Sequence, residues 1–268
     1  MTLVTGIGRR GSAETRQTRL AKRTDRRRIS SCLLEEALMQ GADIYAILKR
    51  IGATHLHHAN TVTTSSTFLE QGGLASRGFV EGHSLHQTSQ PSDEKDKRYN
   101  IWHCVFLDHV DIHYRAGRVK GPNLYGPVLF LLDLEILLRL PVGSEVFVTK
   151  SNPVHWFDNQ PVGDRWFQTL DELAANLAFG NFDKMLVIQT PSEIIPFPDG
   201  RAQIALDDPK RRLSSGEDAF AHAQERLQVA AAAGGIQVSI APHECRSDCS
   251  CAEQYARYSS AYMDLWFT

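Results

Sequence analysis

The sequence predicts an α+β fold built on a central mixed or antiparallel sheet. Strand-like segments cluster in the middle of the chain, and several are joined by turns rather than by full crossover helices. No Gly-rich dinucleotide fingerprint follows any of them, which argues against a doubly wound nucleotide-binding sheet. With 268 residues, 42% of them hydrophobic, the chain can bury one substantial core, or one core with an appended module.

In order, Ser30 or Ser31 can cap a helix carrying Leu34, Leu38 and Ile44 to Leu48. It breaks at Gly41, Asp43 caps the second piece, and Gly52 ends it. His55 to His58 reads as a short strand. A helix follows whose first free N–H groups are offered hydroxyls by Ser65, Ser66 and Thr67. Gly72 or Gly73 can take the left-handed conformation that closes it, letting Leu74 pack back on Phe68 or Leu69. Residues 78 to 100 are polar and aperiodic, and read as a long loop of the kind that often forms a lid.

Ile101 to Asp108 and Pro127 to Leu132 read as buried strands, and Asp133 caps a short helix through Arg139. Glu145 to Thr149 alternates as a strand and runs into Lys150-Ser151-Asn152-Pro153. Thr169-Leu170-Asp171-Glu172 is a capping box opening a helix to Phe179, and Gly180 stops it. Asp183 to Gln189 is the next strand, continued in extended form from Pro191 to Pro198. Ser214 with Glu217 starts the longest helix, to Gly234, and Ile236 to Ile240 is a last strand.

Charge divides the chain unevenly. Residues 1 to 30 carry nine Arg or Lys against two acids, +7, so the overall net charge of −2 leaves −9 for the rest. A basic arm on an acidic body suits a phosphate backbone, where binding follows charge and falls with salt. It equally suits a solvated leader or a patch neutralised by an acidic partner. The Arg-rich start lacks the apolar core of a secretory signal, and no apolar run reaches the roughly 18 residues of a membrane span. Five cysteines, an odd number with three packed into seven residues, argue against a disulfide framework. The expectation is a cytoplasmic protein with reduced thiols and no membrane contact.

The stretch from His55 to Arg77 is the most distinctive: a strand ending in a His pair, a polar turn, a helix, then Gly-Gly-Leu. It resembles the opening of the NAD pocket in DarT-type nucleic-acid ADP-ribosyltransferases, with His58 as the motif histidine and Asn60 in place of the usual small polar residue. The resemblance continues in consistent order over residues 53 to 198. Arg118 with Pro122-Asn123-Leu124-Tyr125 is similar to the family's Arg-x-Pro-x-Leu-Tyr element, two residues longer here. Val128 to Leu138 matches its next strand and short helix, and Val148-Thr149-Lys150-Ser151-Asn152 looks like its Phe-Thr-Asp-x-Asn turn. Asp183-Lys184-Met185-Leu186-Val187, followed by Pro191 and Ile194-Ile195, resembles the strand that opens with the family's catalytic Glu.

That resemblance implies a sheet split around an NAD cleft in residues 31 to 210; the basic arm at 1 to 30 precedes it, and a C-terminal helix with a Cys-rich appendix at 211 to 268 is expected to pack on the same domain. It implies NAD+ as co-substrate and His58 and Asp183 as the catalytic pair. His58 would hold the ribose beside Asn60, Arg118 or Lys120 would hold the diphosphate, and Tyr125 or Tyr114 would stack on nicotinamide. Breaking the nicotinamide–ribose bond generates an oxocarbenium-like cation that a carboxylate must stabilise. Asp183 is one methylene shorter than the family's Glu, and an ungapped match places Lys184 there instead. Either Asp serves, or the acid lies elsewhere, for example at Glu193; Asp108 and Asp111 match no family acid.

The acceptor implied is a base of single-stranded DNA or RNA, because chemistry on a base demands an unpaired nucleotide. The setting implied is a toxin of a toxin–antitoxin or anti-phage system, with an antitoxin or chaperone as a further partner. Three other readings stand beside it: a protein-modifying ADP-ribosyltransferase, a non-enzymatic nucleic-acid-binding module, and a ribonuclease pairing His58 with His109 or His113. In the tail, His243, Cys245, Cys249 and Cys251 match a structural zinc set in type, though the spacing is tighter than a standard finger; a reduced Cys-rich turn is the other reading.

Overall fold

The computed structural model describes residues 38–112, 124–181, 183–244 and 250–268. The basic arm and the cap at Ser30 or Ser31 lie outside the described residues. So do Tyr114, Arg118, Lys120, Cys245 and Cys249.

Strand β1 (His55–Asn60) pairs antiparallel with β4 (Val128–Asp133), His58 standing opposite Phe130. Strand β4 pairs antiparallel with β8 (Arg201–Leu206), and β8 runs parallel to β9 (Gln237–Pro242). This four-stranded sheet has the order β1-β4-β8-β9. A second sheet has the order β3-β6-β5, from Val105–Leu107, Leu186–Gln189 and Glu145–Val148, all antiparallel. Strands β2 (Gly73–Ala75) and β7 (Ile194–Pro196) form a separate pair. The fold is α+β with mixed and antiparallel sheets.

The structure corrects several readings of local structure. The helix after β1, α2 (Val62–Glu70), is capped by Thr61, whose side chain accepts from the Thr64 amide, not by Ser65, Ser66 or Thr67. Those three lie inside the helix and are buried, and Ser66 Oγ donates back to the Val62 carbonyl. Gly72, at φ +73, is the left-handed residue, while Gly73 enters β2. Helix α1 (Gly41–Arg50) starts at Gly41, after the non-helical residues 38–40, and a Cβ on Gly41 would stand 2.3 Å from the Leu137 carbonyl oxygen. Asp43 falls in its first turn rather than at the cap.

The expected loop at 78 to 100 holds two short helices, α3 (Arg77–Gly82) and α4 (Asp93–Arg98). Two further helices follow, α5 (Val162–Arg165) and α6 (Leu170–Asn176); α6 is capped by Thr169 as expected but ends at Asn176. The long helix α7 (Ala219–Ala233) is capped by Asp218, whose Oδ1 accepts from the Ala221 amide at 3.0 Å. Ser214 instead bonds Asp264. The chain ends in α8 (Cys251–Arg257) and α9 (Ser260–Phe267).

Most buried apolar side chains form one cluster running from Met39 to Phe267, with α8 and α9 contributing Tyr255, Met263 and Trp266 to it. Helix α7 presents Ala219, Ala223, Leu227, Ala230 and Ala231 to this core, small side chains that let it approach α2 closely. At its end, a Cβ on Gly234 would fall 2.0 Å from the Leu69 carbonyl oxygen. No helix among the described residues is long and apolar enough to cross a membrane.

Gly126 enters β4 at φ +132 with its α-carbon against the end of β1; a Cβ there would meet the Asn60 carbonyl at 2.3 Å. Replacing Gly126 by Ala combines that overlap with a backbone conformation L residues avoid. The expected loss is roughly 1–3 kcal/mol of stability in urea denaturation.

Candidate functional site

Among the described residues, one backbone bridge joins the two larger sheets. His57 and Asp108 exchange backbone hydrogen bonds of 2.7 and 2.9 Å in an isolated antiparallel bridge. Continued in register, that ladder would bring Ala59 opposite Phe106. The strands part instead, and the Phe106 carbonyl accepts from the His58 ring, Nδ1 lying 2.8 Å away. The gap is a cavity of about 420 Å³, walled by Ala59, Leu129, Val105 and Phe106 and reaching Met185.

Into this space the end of β1 places a short polar relay. Because Nδ1 of His58 faces a carbonyl it carries the proton, leaving Nε2 as an acceptor. Asn60 Nδ2 donates toward that Nε2 at 3.4 Å, and Asn60 Oδ1 accepts from the Thr61 amide at 3.0 Å and from Gln90 Nε2 at 3.3 Å. Burial, only partly offset by the Phe106 carbonyl, pushes the His58 pKa down to about 4, so the ring is neutral at physiological pH. Its face packs on Phe68, ring centroids 5.5 Å apart.

Arg77, at the start of α3, supplies a cation. Its Nε lies 2.7 Å from Asp93 Oδ1, and its Nη2 donates to Asp93 Oδ2 at 2.8 Å and to the Thr88 carbonyl at 2.9 Å. Nη1 is buried without a hydrogen-bond partner, in a residue that lines the cavity. Asp96, one helical turn after Asp93, lines the cavity too. It is 5% exposed, its Oδ2 accepts from Ser92 Oγ at 3.1 Å, and burial pushes its pKa up to about 7. Tyr125 and Asn152 line the cavity as well; Asn152 Nδ2 donates to the Tyr125 hydroxyl at 3.4 Å.

Of the residues picked out from the sequence, His58, Asn60 and Tyr125 thus line one cavity, and Asn152 joins them from the turn after β5. Asp183 does not. It precedes β6 by three residues, is exposed, and its backbone carbonyl accepts from Thr149 Oγ1 at 3.1 Å. Glu193, at φ +60, is 8% exposed and also stands outside the lining. Its Oε2 accepts from Ser76 Oγ at 3.0 Å and lies 2.7 Å from His103 Nδ1, bonds that anchor the root of α3 behind Arg77.

Arg77 and Asp96 were not read from the sequence as site residues. Arg77 had a signal, as a cation immediately after Gly-Gly-Leu-Ala-Ser. Asp96 had none, because it sits among charges that read as a solvated loop.

The expected zinc set is not assembled among the described residues, where no group of three or more His, Cys, Asp or Glu could hold a metal ion. His243 faces carboxylates through both ring nitrogens, Nε2 at 2.7 Å from Asp111 and Nδ1 at 3.9 Å from Asp207. Cys251 is buried at the start of α8 within the main core. The other two expected ligands, Cys245 and Cys249, lie outside the described residues.

No protein-family model and no curated protein matches the chain. Among solved structures it is similar to the DarT of Thermus sp. 2.9 in complex with ADP-ribosylated ssDNA. The TM-score is 0.40 at 12% identity, over 73% of this chain and 95% of that one.

The depressed His58 pKa has a testable consequence. Between pH 6.5 and 4 the unfolded chain binds a proton at His58 that the folded chain refuses, so this residue removes stability as pH falls through that window. Asp96 acts in the opposite sense, its folded carboxyl holding a proton that the unfolded chain releases. The His58 contribution is isolated by comparison with His58→Gln. From pH 7 to pH 4 the variant should lose about 3 kcal/mol less stability than the wild type, measured by urea denaturation at each pH.

Proposed function

We propose that the chain is an NAD+-dependent ADP-ribosyltransferase that takes NAD+ into the cavity between the sheets and passes ADP-ribose to a base of single-stranded nucleic acid. The observation that carries the reading is the convergence of His58, Asn60 and Tyr125, matched on motif order across 53 to 198, with the unpartnered Nη1 of Arg77 in one apolar cavity. The cavity suits the chemistry. A cation developing at the ribose C1′ is destabilised by any neighbouring positive charge, and the ring beside it, His58, is held neutral by burial.

In this reading His58 Nε2 and the Asn60 amide hold ribose hydroxyls, Tyr125 lies against nicotinamide, and Arg77 takes the diphosphate by charge-assisted hydrogen bonds. Arg118 and Tyr114, carried on the same resemblance, belong to the same donor-binding set. The Arg-rich segment 1 to 30 tracks the phosphates of the acceptor. The biological setting is that of a toxin in a toxin–antitoxin or anti-phage system, acting on DNA or RNA.

Two measurements on the full chain test this. NAD+ at 100 times its dissociation constant should stabilise the folded state by about 2.7 kcal/mol, read as a rise in melting temperature. Labelled NAD+ incubated with separate pools of single-stranded DNA, RNA and cell protein should label one nucleic acid. Label on protein alone would redirect the acceptor. No shift and no label on any pool would end the transferase reading.

A further inference from the structure

A transferase of this kind needs a carboxylate facing the reacting carbon, and Asp183 is not among the residues that line the cavity. Among the described residues lining the cavity there are two acids, Asp96 and Asp108. Asp108 is fixed through its backbone to His57 at the mouth of the split. Asp96 is delivered by α4, where three-residue spacing turns Asp93 onto Arg77 and Asp96 toward the same cavity. The helix is seated by Lys95, whose Nζ bonds the Val154 carbonyl of the Pro153–His155 turn packed against it.

We propose that Asp96 is the catalytic carboxylate of this chain, the group that stabilises the cation at the ribose C1′ and accepts the proton of the attacking base. The proposal rests on the transferase reading above. The C1′–N bond to nicotinamide breaks, and its electron pair leaves with neutral nicotinamide. A nitrogen of the acceptor base forms the new C1′–N bond with its lone pair, and the proton it sheds passes to the Asp96 carboxylate. No further reactant is needed, and charge and protons balance.

The surroundings of Asp96 fit a base that works near neutrality. The charged and titratable groups around it include Asp93 and Lys95 on its own helix, Arg77 at the start of α3, Cys104 before β3, and His155 in the turn packed against α4. Burial dominates, Asp93 adds to it, and the Ser92 hydroxyl and Arg77 oppose it. The carboxyl therefore ionises at about pH 7.

The experiment compares wild type, Asp96→Asn and Asp183→Ala with labelled NAD+ and a single-stranded oligonucleotide, from pH 5 to pH 9. Asparagine keeps the size and the acceptor for Ser92. Asp96→Asn should slow transfer by roughly 10²–10⁴-fold while NAD+ still raises its melting temperature. The wild-type rate should climb with pH through an ionisation near 7, and the residual rate of the variant should lack that limb. Wild-type-like transfer by Asp96→Asn overturns the proposal and leaves the transferase reading in place, as does transfer lost in Asp183→Ala alone. Should Asp96→Asn fail to fold, the wild-type profile decides by itself: no ionisation between pH 6 and 8 overturns the assignment. A wild type that neither gains stability from NAD+ nor labels any acceptor removes the function and this inference together.

Discussion

The backbone bridge between His57 and Asp108 is the constraint on which the site depends. Two sheets whose strands could have continued as one are pinned at a single residue pair and diverge beyond it. A diverging ladder leaves backbone groups without partners, and burying such groups is costly. Here the cost is met by a side chain. His58 reaches the Phe106 carbonyl that the next ladder pair would have used, and in doing so it fixes its own tautomer and points its free nitrogen into the gap. The feature that opens the cavity thus also orients its most important imidazole.

The cavity then sets the electrostatics of everything facing it. Apolar walls disfavour charge, so the imidazole of His58 is neutral and the carboxyl of Asp96 ionises only near pH 7. The same walls make an isolated guanidinium too costly, and Arg77 is correspondingly held by Asp93, Thr88 and the face of Trp102, its charge centre 5.4 Å from that ring. The Arg77–Asp93 pair satisfies most of the fork and leaves Nη1 over. A fully paired guanidinium would have nothing to offer a phosphate. One left with the N–H groups of Nη1 offers a directional contact while its charge stays largely balanced.

What the sequence made legible follows from how local each signal is. Thr169 capping α6, Asp133 capping the 3₁₀ turn Leu134–Leu138, and the apolar runs of β4 and β6 depend on neighbours within a few residues, and each lies where it was expected to within a few positions. Of the motif residues between His58 and Asn152, His58, Asn60, Tyr125 and Asn152 line the cavity. Asp96 could not be found that way. Its burial is imposed by the Pro153–His155 turn and by Arg77, neither adjacent in sequence, while Lys95 and Lys97 on either side make the stretch read as solvated. Strand β8 was passed over although Ala202, Ile204 and Leu206 alternate with the period of two, because small and polar residues dilute the pattern. At α7 the serine at 214 competed with Asp218 as a cap. The local bridge between Arg212 and Asp218 and the tertiary bond from Ser214 to Asp264 decided it.

The second half of the chain also explains how a helix as polar as α2 can back the site. Val62 to Glu70 contains five Ser or Thr residues, all but Thr63 buried, and such a segment has little helical preference of its own. It is held from outside. The Ala-rich face of α7 lies close along it, Gly234 lets the end of α7 touch the Leu69 carbonyl, and Thr63 Oγ1 donates to the carbonyl of Thr268. On the other side Thr67 Oγ1 donates to His86 and Thr64 Oγ1 accepts from the Thr88 amide, the residue whose own carbonyl receives Arg77. The hydroxyls that weaken α2 as a helix are the groups that tie it to the 84–92 segment, and through that segment to Arg77 and Asp93. Replacing them with better helix formers would strengthen the element and cut the link that positions the cation. The polarity of α2 is therefore a requirement of the site, carried by packing from a part of the chain that does not line it.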